Sequence, residues 1–142
     1  MDQSLIFWPM VAHFALVIIV YLELGRRRFL AGKARLITYR DYEILGRSVE
    51  PDNCARAARN IVNNFELPML FHVAILALYL TNAVSYPQLA LAWLFIASRY
   101  LHSIIHLTYN KVTHRALSFF VGVFALTAMW IAFAVTLYSG SF

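Results

Sequence analysis

Four long apolar runs, each wide enough to cross a bilayer, decide what this chain can fold into. They cover residues 5–24, 57–84, 87–109 and 116–138. A hydrocarbon core of about 30 Å needs roughly 20 helical residues. Inside it every backbone N–H and C=O must be satisfied within the protein, so the choice is between helices and a closed barrel. A barrel would need many more strands of alternating polarity. The expected fold is therefore an all-α integral membrane protein. It is a four-transmembrane-helix antiparallel bundle, a single membrane domain over residues 1–142 with a polar loop at 25–55. Composition agrees: 61% of the chain is hydrophobic and 13% charged, and the mean hydropathy is +0.65, far from an ordinary soluble domain.

The ends of the runs carry helix punctuation. Pro51, Asp52 and Asn53 precede the second run, Ser85 and Pro87 open the third, and Thr113 is placed to cap the fourth. Pro68 lies inside the second run and lacks the N–H that would satisfy the carbonyl of Asn64, so a kink is expected there. Trp8, Tyr86 and Tyr138 fall where amphipathic rings favour the membrane interface. The first run has no basic residues before it and no small-residue cleavage site after it, and reads as a retained span.

The charges sort the loops. Nine of the twelve Lys and Arg lie between Arg26 and Arg59, and the others are Arg99, Lys111 and Arg115. A sequence pI near 9.7 could suggest a nucleic-acid partner, but no basic stripe interleaves with exposed aromatics and no nucleic-acid module signature is present. The first and third connections are basic, while the "TNAVSYPQ" turn and both chain ends carry no positive side chain. By the positive-inside rule both termini are expected outside, with the basic loops and the site between them facing the cytoplasm. Cys54 is the one cysteine; it permits no disulfide within the chain and no CxxC site.

Polar groups inside the runs point to function. Arg59, Asn63 and Glu66 fall within an arc of about 60° on one helix face. Arg99, His102 and His106 share a face of the third helix, and Arg115 opens the fourth. Ionisable groups at membrane depth face the bundle interior and find partners, and Glu66 with Arg99 is the expected pair. The result is a cleft rich in cationic and amide donors, suited to a small anionic ligand whose carboxylates favour arginine. The plainer reading is interhelical glue, and His13 and His72, which belong to no such face, are read as packing or hydrogen-bonding residues. A metal at His102 and His106 lacks a HExxH pattern or a carboxylate on the same helix; no metal site is expected.

These residues resemble a family. "RNIVNNFELP" carries an R-x-x-x-N-x-x-E spacing followed by proline, and "RYLHSIIH" an R-x-x-H segment. With "RALSFFVG" opening the fourth helix, they are similar to the second, third and fourth helices of the MAPEG family (membrane-associated proteins in eicosanoid and glutathione metabolism), near its microsomal glutathione transferases. The resemblance implies a homotrimer with glutathione bound between protomers, near the cytoplasmic side. It implies glutathione contacts at Arg59, Asn63, Glu66, Arg99 and His102, with Arg56 as an outer cation. It places Arg115 beside the thiol and His106 at a catalytic position. One arginine of "GRRR" (25–28) should join them. The chain departs from the family in having His106 where conjugating and prostaglandin-forming members carry tyrosine. Ala116 and Phe119 stand where prostaglandin-forming relatives have serine and tyrosine, and Pro68 lies closer to the glutamate. The anion-binding part is intact and the hydroxyl part is weakened.

The implied function is a glutathione-dependent transferase or peroxidase acting on small hydrophobic electrophiles drawn from the bilayer. Two alternatives stand beside it: a non-enzymatic lipid- or glutathione-binding membrane protein of the same fold, and, in another class, a small proton-coupled transporter. Four spans without a broken-helix repeat argue against the transporter.

Overall fold

The computed structural model describes residues 2–43 and 50–140. It is all-helical in that range, with α1 (Phe7–Lys33), α2 (Asp52–Phe65), α3 (Leu67–Leu80), α4 (Tyr86–Leu107) and α5 (Val112–Ser139). Four helical stretches are long and apolar enough to cross a membrane: Gln3–Lys33, Asp52–Leu80, Tyr86–Leu107 and Val112–Ser139.

The first helix runs well past residue 24. Charge ends the apolar run there but not the helix, because Glu23, Arg26 and Arg27 are good helix formers at favourable spacings. Glu23 pairs with both arginines at 2.7 Å. The helix stops at a Schellman-type turn, in which Arg35 takes a positive φ of 57° and the Leu36 N–H donates to the Ala31 carbonyl at 2.9 Å.

The second span is two helices. The break falls at Glu66, whose ψ of −87° interrupts the helical run, and Pro68 stands in the first turn of α3. Proline is tolerated there because the first N–H groups of a helix have no partner inside it. The expected kink is present, realised as a restart. Of the expected caps, the one at Ser85 is present and the one at Thr113 is not. Ser85 caps α4, its side chain accepting from the Gln88 N–H, whereas α5 begins at Val112 after Lys111, with no side-chain cap.

The helices pack antiparallel, α5 along α4, with α1 and α2 together on α4. Arg27 ties three helix ends: it donates to Glu23, to the Asn53 carbonyl at 2.8 Å and to the Leu107 carbonyl at 2.7 Å. The two basic connections therefore emerge at one end. At the other, Gln3 exchanges hydrogen bonds with both backbone groups of Val84, and Trp8, Tyr86 and Tyr138 are exposed there.

The apolar core fills the half nearest the termini. Phe71 stacks on Phe95 with centroids 4.4 Å apart, amid Ile6, Ile75, Leu78, Met129 and Phe133. Helices in lipid associate through such packing and through close backbone approach at small residues. At Gly122 a Cβ would stand 2.6 Å from the Ser98 Oγ, so glycine lets α5 seat against α4. His13 and His72 are hydrogen-bonded, Nδ1 to Nε2, at 3.1 Å, joining α1 to α3 as the sequence suggested.

Candidate functional site

The half of the bundle nearest the basic connections is polar inside. Asn60, Asn64 and Ser103 form a buried knot between α2 and α4: the Ser103 hydroxyl donates to Asn60 Oδ1 at 3.0 Å, and Asn64 Nδ2 donates to the same oxygen at 2.7 Å. The Asn60 amide donates to the Ser103 carbonyl at 3.3 Å. These bonds set the rotation of α2 and so turn Arg56, Arg59 and Asn63 to one side.

That side is a cavity of about 250 Å³ lined by Arg56, Arg59, Val62, Asn63, His106, Asn110 and Arg115. Of the residues singled out in the sequence, Arg56, Arg59, Asn63, His106 and Arg115 line it. Three arginines and no carboxylate face one small space, and none of the three forms an ion pair among the described residues. Such a concentration of one sign of charge favours an anion.

Arg115 is held from two directions. Its Nη1 donates to Asn110 Oδ1 at 2.8 Å, and its carbonyl accepts from His102 Nδ1 at 3.1 Å and from the Ser118 hydroxyl at 2.9 Å. A carbonyl partner requires the proton on His102 Nδ1, leaving Nε2 as an acceptor; that atom is buried without a partner, as is His106 Nδ1. His102 thus lies behind the cavity and positions Arg115.

Arg99 and Glu66 depart from expectation. No ion pair joins them among the described residues; Glu66 is exposed at the α2–α3 break and acts on Arg99 only through space. Arg99 is fully buried, and its Nη2 donates to the Asn63 carbonyl at 3.1 Å. The break explains this choice. Ending α2 at Phe65 frees its last carbonyls, and a cation at a helix C-terminus satisfies both the orphan acceptor and the dipole. The rest of the guanidinium lies 5.9 Å from the Phe119 ring centroid, with Nε and Nη1 unpartnered. Neither Arg99 nor Glu66 lines the cavity.

The "GRRR" arginines are all engaged: Arg26 and Arg27 with Glu23, Arg28 with Glu50. Asn110 is a lining residue that the sequence reading missed. It has a φ of 50° and its N–H donates to the Ile105 carbonyl at 2.8 Å, the left-handed stop that favours asparagine. Its place just beyond the third apolar run was the available signal. Among the described residues no group of three or more His, Cys, Asp or Glu could hold a metal ion.

A membrane-spanning helical bundle with a cationic, amide-rich cavity between three helices at its basic end is the class that this geometry defines. The family model described as MAPEG family matches residues 6–135. The chain belongs to the MAPEG family, a four-helix membrane family with members in glutathione and eicosanoid metabolism. Neither the curated proteins nor the solved structures include a significant match to it.

Proposed function

We propose that this protein binds glutathione in the cavity between α2, α4 and α5 and joins it through its sulfur to small hydrophobic electrophiles, or uses two glutathiones to reduce a hydroperoxide to the alcohol and water with formation of glutathione disulfide, at the membrane. The observation that carries the reading is the convergence of Arg56, Arg59 and Arg115 with the amides of Asn63 and Asn110 on one space. Glutathione offers two carboxylates and a thiol. Arg56 and Arg59, at the outer part of α2, suit the carboxylates. Arg115, fixed by Asn110, suits the sulfur, because a nearby cation lowers a thiol's pKa and raises the nucleophilic fraction. In conjugation the thiolate attacks the electrophile, a carbon–sulfur bond forms, and the leaving group departs with its electron pair. His106 stands at the cavity wall where it can donate a hydrogen bond to sulfur as a neutral imidazole. Family membership supports a homotrimer, and the loop charges support outside termini with the site facing the cytoplasm.

A second reading, a glutathione- or lipid-binding protein without turnover, is favoured by one observation: Ala116 and Phe119 carry no hydroxyl to assist the sulfur, and the nearby Ser118 hydroxyl donates to the Arg115 carbonyl.

Glutathione titrations run beside a conjugation assay separate the two. Arg115→Leu should lower conjugation by about tenfold or more, one charge-assisted contact being worth ~1.5–3 kcal/mol. Arg59→Ala should weaken glutathione binding more than Arg115→Leu does, and His106→Tyr should keep or raise turnover. Tight glutathione binding with no turnover by either the wild type or His106→Tyr would leave the binding protein; no glutathione binding at all would end both versions that use it.

A further inference from the structure

Beyond its spans the chain carries a small ordered lobe whose chemistry the cavity does not use. About 20 residues of α1 suffice to cross the hydrocarbon, so counting from Phe7 places Arg26, Arg27 and Arg28 at headgroup depth. Lys33 lies about 8 Å further along the axis. The chain then turns at Arg35 and folds back along α1. Ile37 buries against Ala31 and Cys54. Tyr42 returns to the level of Arg28, its ring 5.0 Å from that guanidinium and its hydroxyl donating to Glu50 at 2.8 Å. The returning segment thus runs back toward the membrane surface.

Its side chains are sorted for that place. Lys33, Arg35 and Arg40 are exposed and, unlike Arg26, Arg27 and Arg28, have no ion-pair partner among the described residues. Between them stand Leu36 and Tyr39, 65% and 95% exposed. Of the segment's two carboxylates, Asp41 is engaged by the Thr38 N–H and hydroxyl at 2.6 and 2.9 Å, and Glu43 lies past the cations in sequence. Unpaired cations interleaved with an aromatic side chain on a segment returning toward the headgroups match an anionic interface: Arg40 meets lipid phosphates, Tyr39 enters the boundary layer, and Lys33 and Arg35 act across roughly 8 Å, about one Debye length.

We propose that residues 33–40 form a headgroup-binding lobe that docks on anionic phospholipid of the leaflet where the basic connections emerge. The inference is independent of what the cavity binds. The probe is a fluorescently labelled phosphatidylglycerol titrated into the detergent-solubilised full chain, with phosphatidylcholine as the neutral comparison and inorganic phosphate as competitor. Each cation near an anionic surface contributes about fivefold. A Lys33→Gln, Arg35→Asn, Arg40→Gln triple variant should therefore lose more than the roughly fivefold assigned to Arg40 alone in apparent phosphatidylglycerol affinity, with Lys33 and Arg35 adding less because they act from about one Debye length. Asparagine is chosen at Arg35 because it tolerates the left-handed backbone. Tyr39→Ser should lose several-fold, phosphatidylcholine binding should not change, and the lipid-free melts of the variants should match the wild type. If the triple variant does not fold, Arg40→Gln alone should still lose about fivefold. Wild-type binding no tighter for phosphatidylglycerol than for phosphatidylcholine, or variants that keep full affinity, would overturn the proposal. Displacement of the lipid by phosphate would also overturn it, by showing a free-anion site in place of a membrane surface.

Discussion

Arg99 shows how one side chain's partner can differ from the one that charge alone suggests. Opposite charges on neighbouring helices made Glu66 the expected partner, yet the guanidinium satisfies a backbone carbonyl that the α2–α3 break set free. The two groups are then coupled only weakly, through space. Arg99→Leu should destabilise the protein by removing that cap, and it should do so by nearly the same amount in the wild-type and Glu66→Gln backgrounds. Residues that share no partner usually combine within ~0.3–0.5 kcal/mol. Detergent melts of the two single variants and the double variant measure this, and a coupling of several times that size would restore the ion pair. Asn110 makes a complementary point. A residue chosen for a left-handed turn also presents Oδ1 to Arg115, so a backbone requirement and a site requirement fall on one side chain.

Among elements, the contact of α4 with α5 is the most extensive between described helices and sets where Arg115 stands relative to His102 and His106. Gly122 allows it. In Gly122→Ala the new methyl would meet the Ser98 hydroxyl oxygen at 2.6 Å, while that oxygen already donates to the Phe95 carbonyl at 2.6 Å. Overpacking a filled contact costs ~1–3 kcal/mol, so Gly122→Ala should lower the melting temperature. Ser98→Ala removes the obstructing oxygen and leaves its Cβ at an ordinary 3.7 Å, so the double variant should recover most of the loss. A double variant as unstable as the sum of its parts would mean that the helices do not meet through this pair. The second span teaches the converse lesson. Its apolar run reads as one helix, but proline places the restart, and the restart rather than the run determines which carbonyls of α2 need a partner.

For the whole molecule, the division into an apolar half near the termini and a polar half near the basic connections puts the cavity at the charged end of the bundle. If the loops obey the positive-inside rule, reporter fusions at residue 142 and within residues 30–43 should give opposite sidedness. Matching signals would remove the proposed orientation. Light scattering of the same detergent preparation should return the mass of three chains; a monomer would remove the proposed homotrimer and require the cavity to work within one chain.

Much of this architecture is legible in the sequence. Span number, the antiparallel order, the collection of basic connections at one end and the kink near Pro68 follow from apolar length, charge placement and proline chemistry. These are properties of a residue and its near neighbours along the chain. The cationic composition of the site was legible for the same reason, because an arginine or histidine at membrane depth is conspicuous wherever it ends up. Which of those residues share the cavity was not. Arg56, Arg59, Asn63, His106 and Arg115 come together, while Arg99 and His102 stand behind them and Glu66 turns outward. That sorting depends on how far each helix is rotated, and the rotation is set by contacts between residues remote in sequence: the Asn60–Asn64–Ser103 knot, Arg27 across three helix ends, and Gly122 against Ser98. Helical periodicity puts residues on a common face, but the direction of that face is decided by what packs against it.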